Sequence, residues 1–105
     1  GKYNVIIEAI SLENTNESKE VASNIVNNFD VDICILFSNI SGKTTIVGST
    51  KPSVDLDISI ITHDLSSLYG GGASKDPNLS IGGGPGNYET SKAIDVAIKS
   101  ITKLI

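Results

Sequence analysis

The sequence GGGASKDPNLSIGGGPG, residues 70–86, holds seven of the ten glycines in a chain of 105 residues. Glycine loses more conformational freedom on folding than any other residue, so the two triplets destabilise the protein unless the fold needs them. Positive φ angles, close approach of another backbone or close approach of a ligand would each need them. A flexible linker is disfavoured because Pro77, Leu79 and Ile81 interrupt the glycines.

Around this glycine-rich segment, β-branched runs alternate with stretches of helical period. Strands are predicted at residues 3–12, 32–40, 44–50 and 78–83, and helices at 17–29, 56–69 and 88–104. The first strand, helix and strand imply a right-handed crossover and a parallel pair, while Ser41–Lys43 predict a hairpin. The pattern predicts an α/β fold, a small mixed β-sheet of about four to five strands with three helices.

Length and composition indicate one domain, residues 1–105, with a single hydrophobic core. The chain begins with Gly1 where a complete protein would begin with methionine, so a fragment of a larger protein is expected. No apolar run is long enough for a membrane span and no secretory signal is visible, which predicts a soluble cytoplasmic protein. The single Cys34 lies in an apolar run and is expected to be a small buried hydrophobe.

The charge distribution limits how the chain could bind nucleic acid. The net charge is −4 and arginine is absent, which argues against binding by electrostatics alone. Residues 65–105 carry four lysines and three acids, whereas residues 1–32 carry two lysines and six acids. The last predicted helix has an apolar stripe made of Ile94, Ala97, Ile98, Ile101 and Leu104. Its lysines, Lys92, Lys99 and Lys103, lie on the opposite face.

No arrangement typical of an active site or metal site is present. No pair of acids converges with a histidine or cysteine by local spacing, and His63 next to Asp64 is too little for zinc. We therefore predict no catalytic residue and no bound metal. The second glycine triplet precedes a helix that Asn87 can cap, so free backbone amides suited to a phosphate or carboxylate are expected there.

The run PNLSIGGG, residues 77–84, with a glycine triplet upstream and a helix downstream, resembles the C-terminal domain of alanyl-tRNA synthetases, in an archaeal-like form. That domain belongs with the DHH-associated domains of DHH phosphoesterases. Its usual pattern is a glycine run followed by R-P-D-x-A-Q-G-G-G. Pro77 and Gly82–Gly84 match this pattern, whereas Asp76 stands at the arginine and Ile81 at the glutamine.

The resemblance implies a non-catalytic tRNA-binding domain that supports aminoacylation and editing of tRNA(Ala). The parent protein would be an alanine-tRNA ligase that uses ATP, Mg and Zn, with no cofactor in this domain. Its implied partners are tRNA, other domains of the parent and a second copy in a homodimer, and no membrane. The residues expected to contact nucleic acid are Gly70, Gly71, Gly72, Lys75, Asn78, Gly82, Gly83, Gly84 and Lys92.

Two alternatives remain open from the sequence. One is the substrate-binding domain of a DHH phosphoesterase, in which a histidine usually follows the first triplet. Ala73 stands there in this chain, which favours the synthetase. The other is a structural or dimerisation module whose glycines serve only tight packing.

Overall fold

The computed structural model describes residues 3–10, 14–40, 43–85 and 90–104. Each predicted element is found there with the predicted type. The strands and helices are β1 (Val5–Ala9), α1 (Thr15–Asn28), β2 (Ile33–Ile40), β3 (Lys43–Thr50), α2 (Ile58–Leu68), β4 (Leu79–Gly84) and α3 (Thr90–Leu104). The predicted Asn87 cap, the hairpin residues Ser41 and Gly42, and residues 88 and 89 lie outside the described ranges.

The four strands form one sheet in the order β1-β2-β3-β4. β1 and β2 are parallel, from the pair Val5 and Ile33 to the pair Ala9 and Phe37. β3 is antiparallel to both β2 and β4. The sheet is therefore mixed, which confirms the predicted fold class and the parallel and hairpin pairings within it.

Helices cover both faces of this sheet. Successive side chains of a strand point to opposite faces, and β2 is buried on both. Ile33 and Ile35 join the core beneath α2 and α3, while Cys34 and Leu36 join the core beneath α1. Burial raises the pKa of the Cys34 thiol to about 12, so this cysteine is the small buried hydrophobe expected.

α2 begins two residues later than predicted because Asp57 caps it, its carboxylate accepting a hydrogen bond from the amide of Ser59 at 2.9 Å. The helix lies directly on β3. A Cβ placed on Gly48 would come within 2.6 Å of Ile58 Cγ1 and 2.7 Å of Thr62 Oγ1. Gly48 thus allows the close contact between helix and sheet that places the C-terminal end of α2 beside β4.

α3 contacts α2 and β1 through a face built on small residues. Ala93, Ala97 and Ile101 are buried there. Ile98, which was predicted in the apolar stripe, is instead 49% exposed. The prediction was wrong at this residue because α3 approaches its neighbours most closely along its alanines, not along its largest side chains. Ile98 lies about 100° around the helix from Ala97 and so points away from that contact. No helix in the described ranges is long and apolar enough to span a membrane.

Candidate nucleic-acid interface

The first glycine triplet turns the chain back along α2. Gly70 follows the helix with φ +81°, in the left-handed region that favours glycine. The amides of Gly70 and Gly71 donate to the carbonyl oxygens of Ser67 and Ser66, at 3.3 and 3.0 Å. These bonds satisfy carbonyl groups that the end of a helix would otherwise leave unpaired.

The residues after this turn cover the outer edge of β4. Ala73 pairs with Gly82 in an antiparallel bridge. The amide of Ser74 donates to Ile81 O at 2.9 Å, and the Ser74 hydroxyl accepts from the Ile81 amide at 3.0 Å. Residues 71–74 and β4, which we call the glycine-rich edge, therefore form one continuous backbone layer.

Within the glycine-rich edge, the two triplets contact each other through main-chain atoms. A Cβ on Gly71 would overlap Gly83 O and lie 3.0 Å from the Cα of Gly84. A Cβ on Gly84 would in turn overlap Tyr69 O. A side chain at either position would force the two segments apart, so their glycines are explained by packing.

The middle of the second triplet is constrained on both sides. Gly83 has φ +134°, and a Cβ there would overlap Thr44 O on β3. Its amide donates to Ser66 Oγ on α2 at 2.8 Å. A Cβ on Gly82 would overlap the same Ser66 Oγ. The free amides expected at this triplet are therefore not found at Gly83, because its amide is bonded to a side chain of α2.

Gly72 differs from its neighbours. It is exposed, no atom lies within 4 Å of the position that its Cβ would take, and its φ is outside the left-handed region. Neither packing nor backbone conformation among the described residues requires a glycine here. Of the glycines predicted to contact nucleic acid, Gly72 is thus the one with open space above it and no internal role.

Asn78 directly precedes β4, about 13 Å from Gly82 and about 20 Å from Gly84 at strand spacing. Its side-chain oxygen accepts from Thr50 Oγ1 at 3.2 Å, and its carbonyl accepts from the Thr50 amide at 3.0 Å. Asp76 Oδ1 accepts from the amides of Asn78 and Leu79, at 2.9 and 3.3 Å. Asp76, which stands where the family pattern has arginine, thus holds the backbone at the start of β4.

Lys75 directly follows the glycine-rich edge in the chain. It lies beside the N-terminal half of α2, where it lines a groove with Asp57, Asp64 and His63. A phosphate bound by Lys75 would therefore also meet two carboxylates. The structure brings the two glycine triplets together, whereas Lys75 lines the groove beside α2 and Asn78 bonds to Thr50.

The exposed face of α3 carries the largest positive charge of any helix or strand described. Lys92, Lys99 and Lys103 are exposed, and their spacings of seven and four residues align them along one face over about 16 Å. Asp95 is the acid in this helix, so α3 carries a net charge of +2. The surface predicted by helical periodicity is therefore present, with Lys92 in its first turn.

A search of solved structures finds the same architecture in a known domain. The fold resembles that of a C-Ala domain. The crystal structure of the C-Ala domain from Aquifex aeolicus alanyl-tRNA synthetase matches with a TM-score of 0.82 and 16% sequence identity, over 96% of this chain and 92% of that one. No protein-family model matches the chain, and neither does any curated protein. At this identity the likeness shows a C-Ala-like fold.

Sequence reasoning did not single out Ser66, the side chain that organises the glycine-rich edge of this C-Ala-like fold. Ser66 is fully buried on α2 and accepts the Gly83 amide. A signal was available, since Thr62 and Ser66 are small polar residues four apart on an otherwise apolar helix face. Such a line of small residues indicates that a backbone approaches the helix closely, and here Gly48 and Gly82 do so.

The titratable residues of the described ranges do not form a metal site. No group of three or more histidine, cysteine, aspartate or glutamate side chains there could hold an ion. His63 is exposed on α2, and Cys34 lies in the core on the α1 side of the sheet. The absence of metal binding and catalysis stays a prediction for assays of the purified domain.

Proposed function

We propose that this chain is the tRNA-binding C-terminal domain of an alanyl-tRNA synthetase, with the exposed lysine face of α3 as its main contact. The observation that carries the proposal is the C-Ala-like fold over 96% of the chain and 92% of the solved domain. A match of nearly full length to a domain of that enzyme fits the motif resemblance in residues 77–84. In this proposal the domain supports aminoacylation and editing of tRNA(Ala) by a cytoplasmic parent that uses ATP, Mg and Zn.

Charge supports the choice of α3 as the contact. Phosphate groups are bound largely by lysine and arginine, and α3 presents three lysines on one face. Lys75 contributes less because Asp57 and Asp64 line the same groove. Among the predicted glycines, Gly72 is the candidate for direct contact, whereas the other five shape the surface by packing or by a positive φ.

A titration of the isolated domain with a tRNA(Ala) transcript tests the proposal. With three lysines on the face, we expect weak binding at low salt, with a log–log salt slope no steeper than about −3. The double variant Lys99→Glu/Lys103→Glu should lower the affinity and flatten that slope by about one for each lysine. Lys19→Glu on α1, on the other face of the sheet, makes the same change of charge as one α3 substitution. It should lower the affinity for tRNA less than Lys99→Glu or Lys103→Glu alone.

Two results would contradict the proposal: no binding at low salt by a folded domain, or an equal loss from Lys19→Glu and from each α3 substitution. In the full-length parent, deleting this domain should reduce tRNA affinity while leaving amino-acid activation intact. Loss of activation together with tRNA affinity would show that the domain serves the stability of the whole enzyme.

A structural or dimerisation module is the second candidate, because packing or a positive φ accounts for five of the six triplet glycines. In that case the glycine-rich edge serves the fold alone. Sedimentation of the isolated domain separates the candidates. A dimer that forms without tRNA and does not bind tRNA would favour the structural role.

A further inference from the structure

A groove lies between the outer side of α2 and residues 73–75. Its volume is about 520 Å³, which is large enough for one or two amino-acid side chains. Ile60 and Ala73 provide its apolar surface, and Ile60 is 46% exposed although it lies on a well-formed helix. Single exposed aliphatic side chains are common on protein surfaces, but this one lies in a concave surface, where it offers an apolar contact to a ligand.

The charges around this groove are unevenly distributed. Asp57 and Asp64 lie on the α2 side, with Lys75 on the opposite side. Asp55 is exposed just before α2, and Asp76 is exposed next to Lys75 in the sequence. Two aspartates and one lysine therefore line the groove, and two further aspartates are exposed close to these residues in sequence. The surroundings of the groove are acidic, in contrast to α3.

We propose that this groove docks a basic segment of a partner protein, which inserts one aliphatic side chain against Ile60 and directs lysine or arginine side chains towards Asp57 and Asp64. Opposite charge favours such a partner and disfavours an acidic peptide or RNA. The apolar floor supplies the anchor that exposed charges alone would lack.

The groove and the lysine face of α3 lie on different sides of α2. α3 contacts α2 and β1, whereas residues 73–74 pair with the outer edge of β4. α2 packs on β3 and β4 and so lies between the two surfaces. A basic segment in the groove would therefore leave α3 accessible, and docking does not depend on RNA binding.

The test uses the isolated domain and a synthetic peptide, Ac-GKKLKKG-amide, with NMR amide shifts and a fluorescence titration as readouts. We expect shifts in residues 57–64 and 73–75 and none on α1. A peptide with glutamate in place of each lysine, and one with glycine in place of leucine, are the ligand controls. The lysine peptide should bind at least about tenfold more tightly than either.

Matched variants separate docking in the groove from general attraction to an acidic protein. Asp64→Lys should weaken binding of the lysine peptide about tenfold, whereas Glu20→Lys, an exposed acid on α1, should change it less than twofold. Ile60→Ala should weaken binding about fivefold, and Ile98→Ala, at 49% exposure on α3, should not. Lys75→Glu should strengthen peptide binding.

Three outcomes would overturn the proposal. One is an equal effect of each variant and its control. Another is a shift pattern that leaves residues 57–64 unchanged, or tighter binding of the glutamate peptide or of RNA in the groove. The third is concentration-dependent self-association abolished by Asp64→Lys, because the occupant would then be a second copy of this chain.

Discussion

The glycine-rich edge and α3 differ in two ways: in how unusual their sequences are, and in whether their distinctive residues face the protein or the solvent. The edge has the most unusual composition in the chain, yet its glycines mostly face other parts of the same protein. α3 has an ordinary amphipathic sequence, yet its outer face presents three lysines. Unusual composition therefore marks where backbones touch, while the charged surface available to a ligand lies on an ordinary helix.

The same contrast appears within a single triplet. Gly71 has no room for a Cβ because Gly83 O occupies that place, whereas nothing lies within 4 Å of the Cβ position of Gly72. Two adjacent glycines thus have different reasons to be glycine. Substitutions at these positions separate the two reasons.

Gly71→Ala is expected to have the largest effect on stability. The new methyl group would overlap main-chain atoms, which cannot rotate away, so residues 70–74 must separate from β4. We expect the free energy of unfolding to fall by about 3 kcal/mol or more. Urea denaturation monitored by circular dichroism measures it. A loss below about 1 kcal/mol would show that the two triplets do not pack as described.

Ser66→Ala is expected to cost about 2 kcal/mol of unfolding free energy. It removes the oxygen that accepts the Gly83 amide at 2.8 Å and leaves that amide without this partner. Ser67→Ala, on the exposed side of the same helix, is the control and should change stability by less than about 0.5 kcal/mol. Equal effects of the two substitutions would contradict a special role for Ser66.

Lys99→Glu and Lys75→Glu compare the lysine face of α3, the proposed tRNA contact, with the groove that Lys75 lines. Both side chains are exposed, so neither substitution should change the unfolding free energy by more than about 0.5 kcal/mol. Lys99→Glu should weaken tRNA binding more, because Lys75 already lies near two carboxylates. A stronger effect of Lys75→Glu in the same titration would move the contact from α3 to the groove that Lys75 lines.

Gly72→Ala is expected to have the smallest effect on stability, a change of less than about 1 kcal/mol, because the methyl group enters open space. Urea denaturation of Gly72→Ala and Gly71→Ala in parallel measures the difference in stability. If Gly72→Ala leaves stability unchanged but weakens tRNA binding, Gly72 contacts the ligand. Unchanged binding would leave α3 as the contact and the glycine-rich edge as a purely structural feature.

Much of the fold could be predicted because its signals are local. β-branched runs and helical periods placed every element, and the burial of β2 on both faces follows from its continuous apolar sequence. The stripe on α3 was predicted correctly at Ala97 and Ile101 and wrongly at Ile98, and the buried Ala93 was missed. Periodicity identifies which side of a helix is apolar, but the neighbouring elements decide which residue on that side is covered.

The candidate site was predicted less completely. The sequence identified the glycine triplets and the lysine spacing of α3, and the structure contains both features. It could not show that Lys75 lies among aspartates, because Asp57 and Asp64 come from a helix more than ten residues away in the chain. The contact of Ser66 with Gly83 likewise joins residues that are 17 positions apart.

The order and type of the elements, the buried character of Cys34 and one lysine-bearing helix face can be read from the chain alone, because each depends on neighbours within a few residues. The reason for each glycine emerges only in the folded protein. Gly71 and Gly72 are identical in local sequence terms, and the difference between them arises from Gly83, which reaches Gly71 only after β4 has paired with β3. Contacts between segments distant in the chain have no local signal, so packing and ligand contact cannot be told apart before the chain is folded.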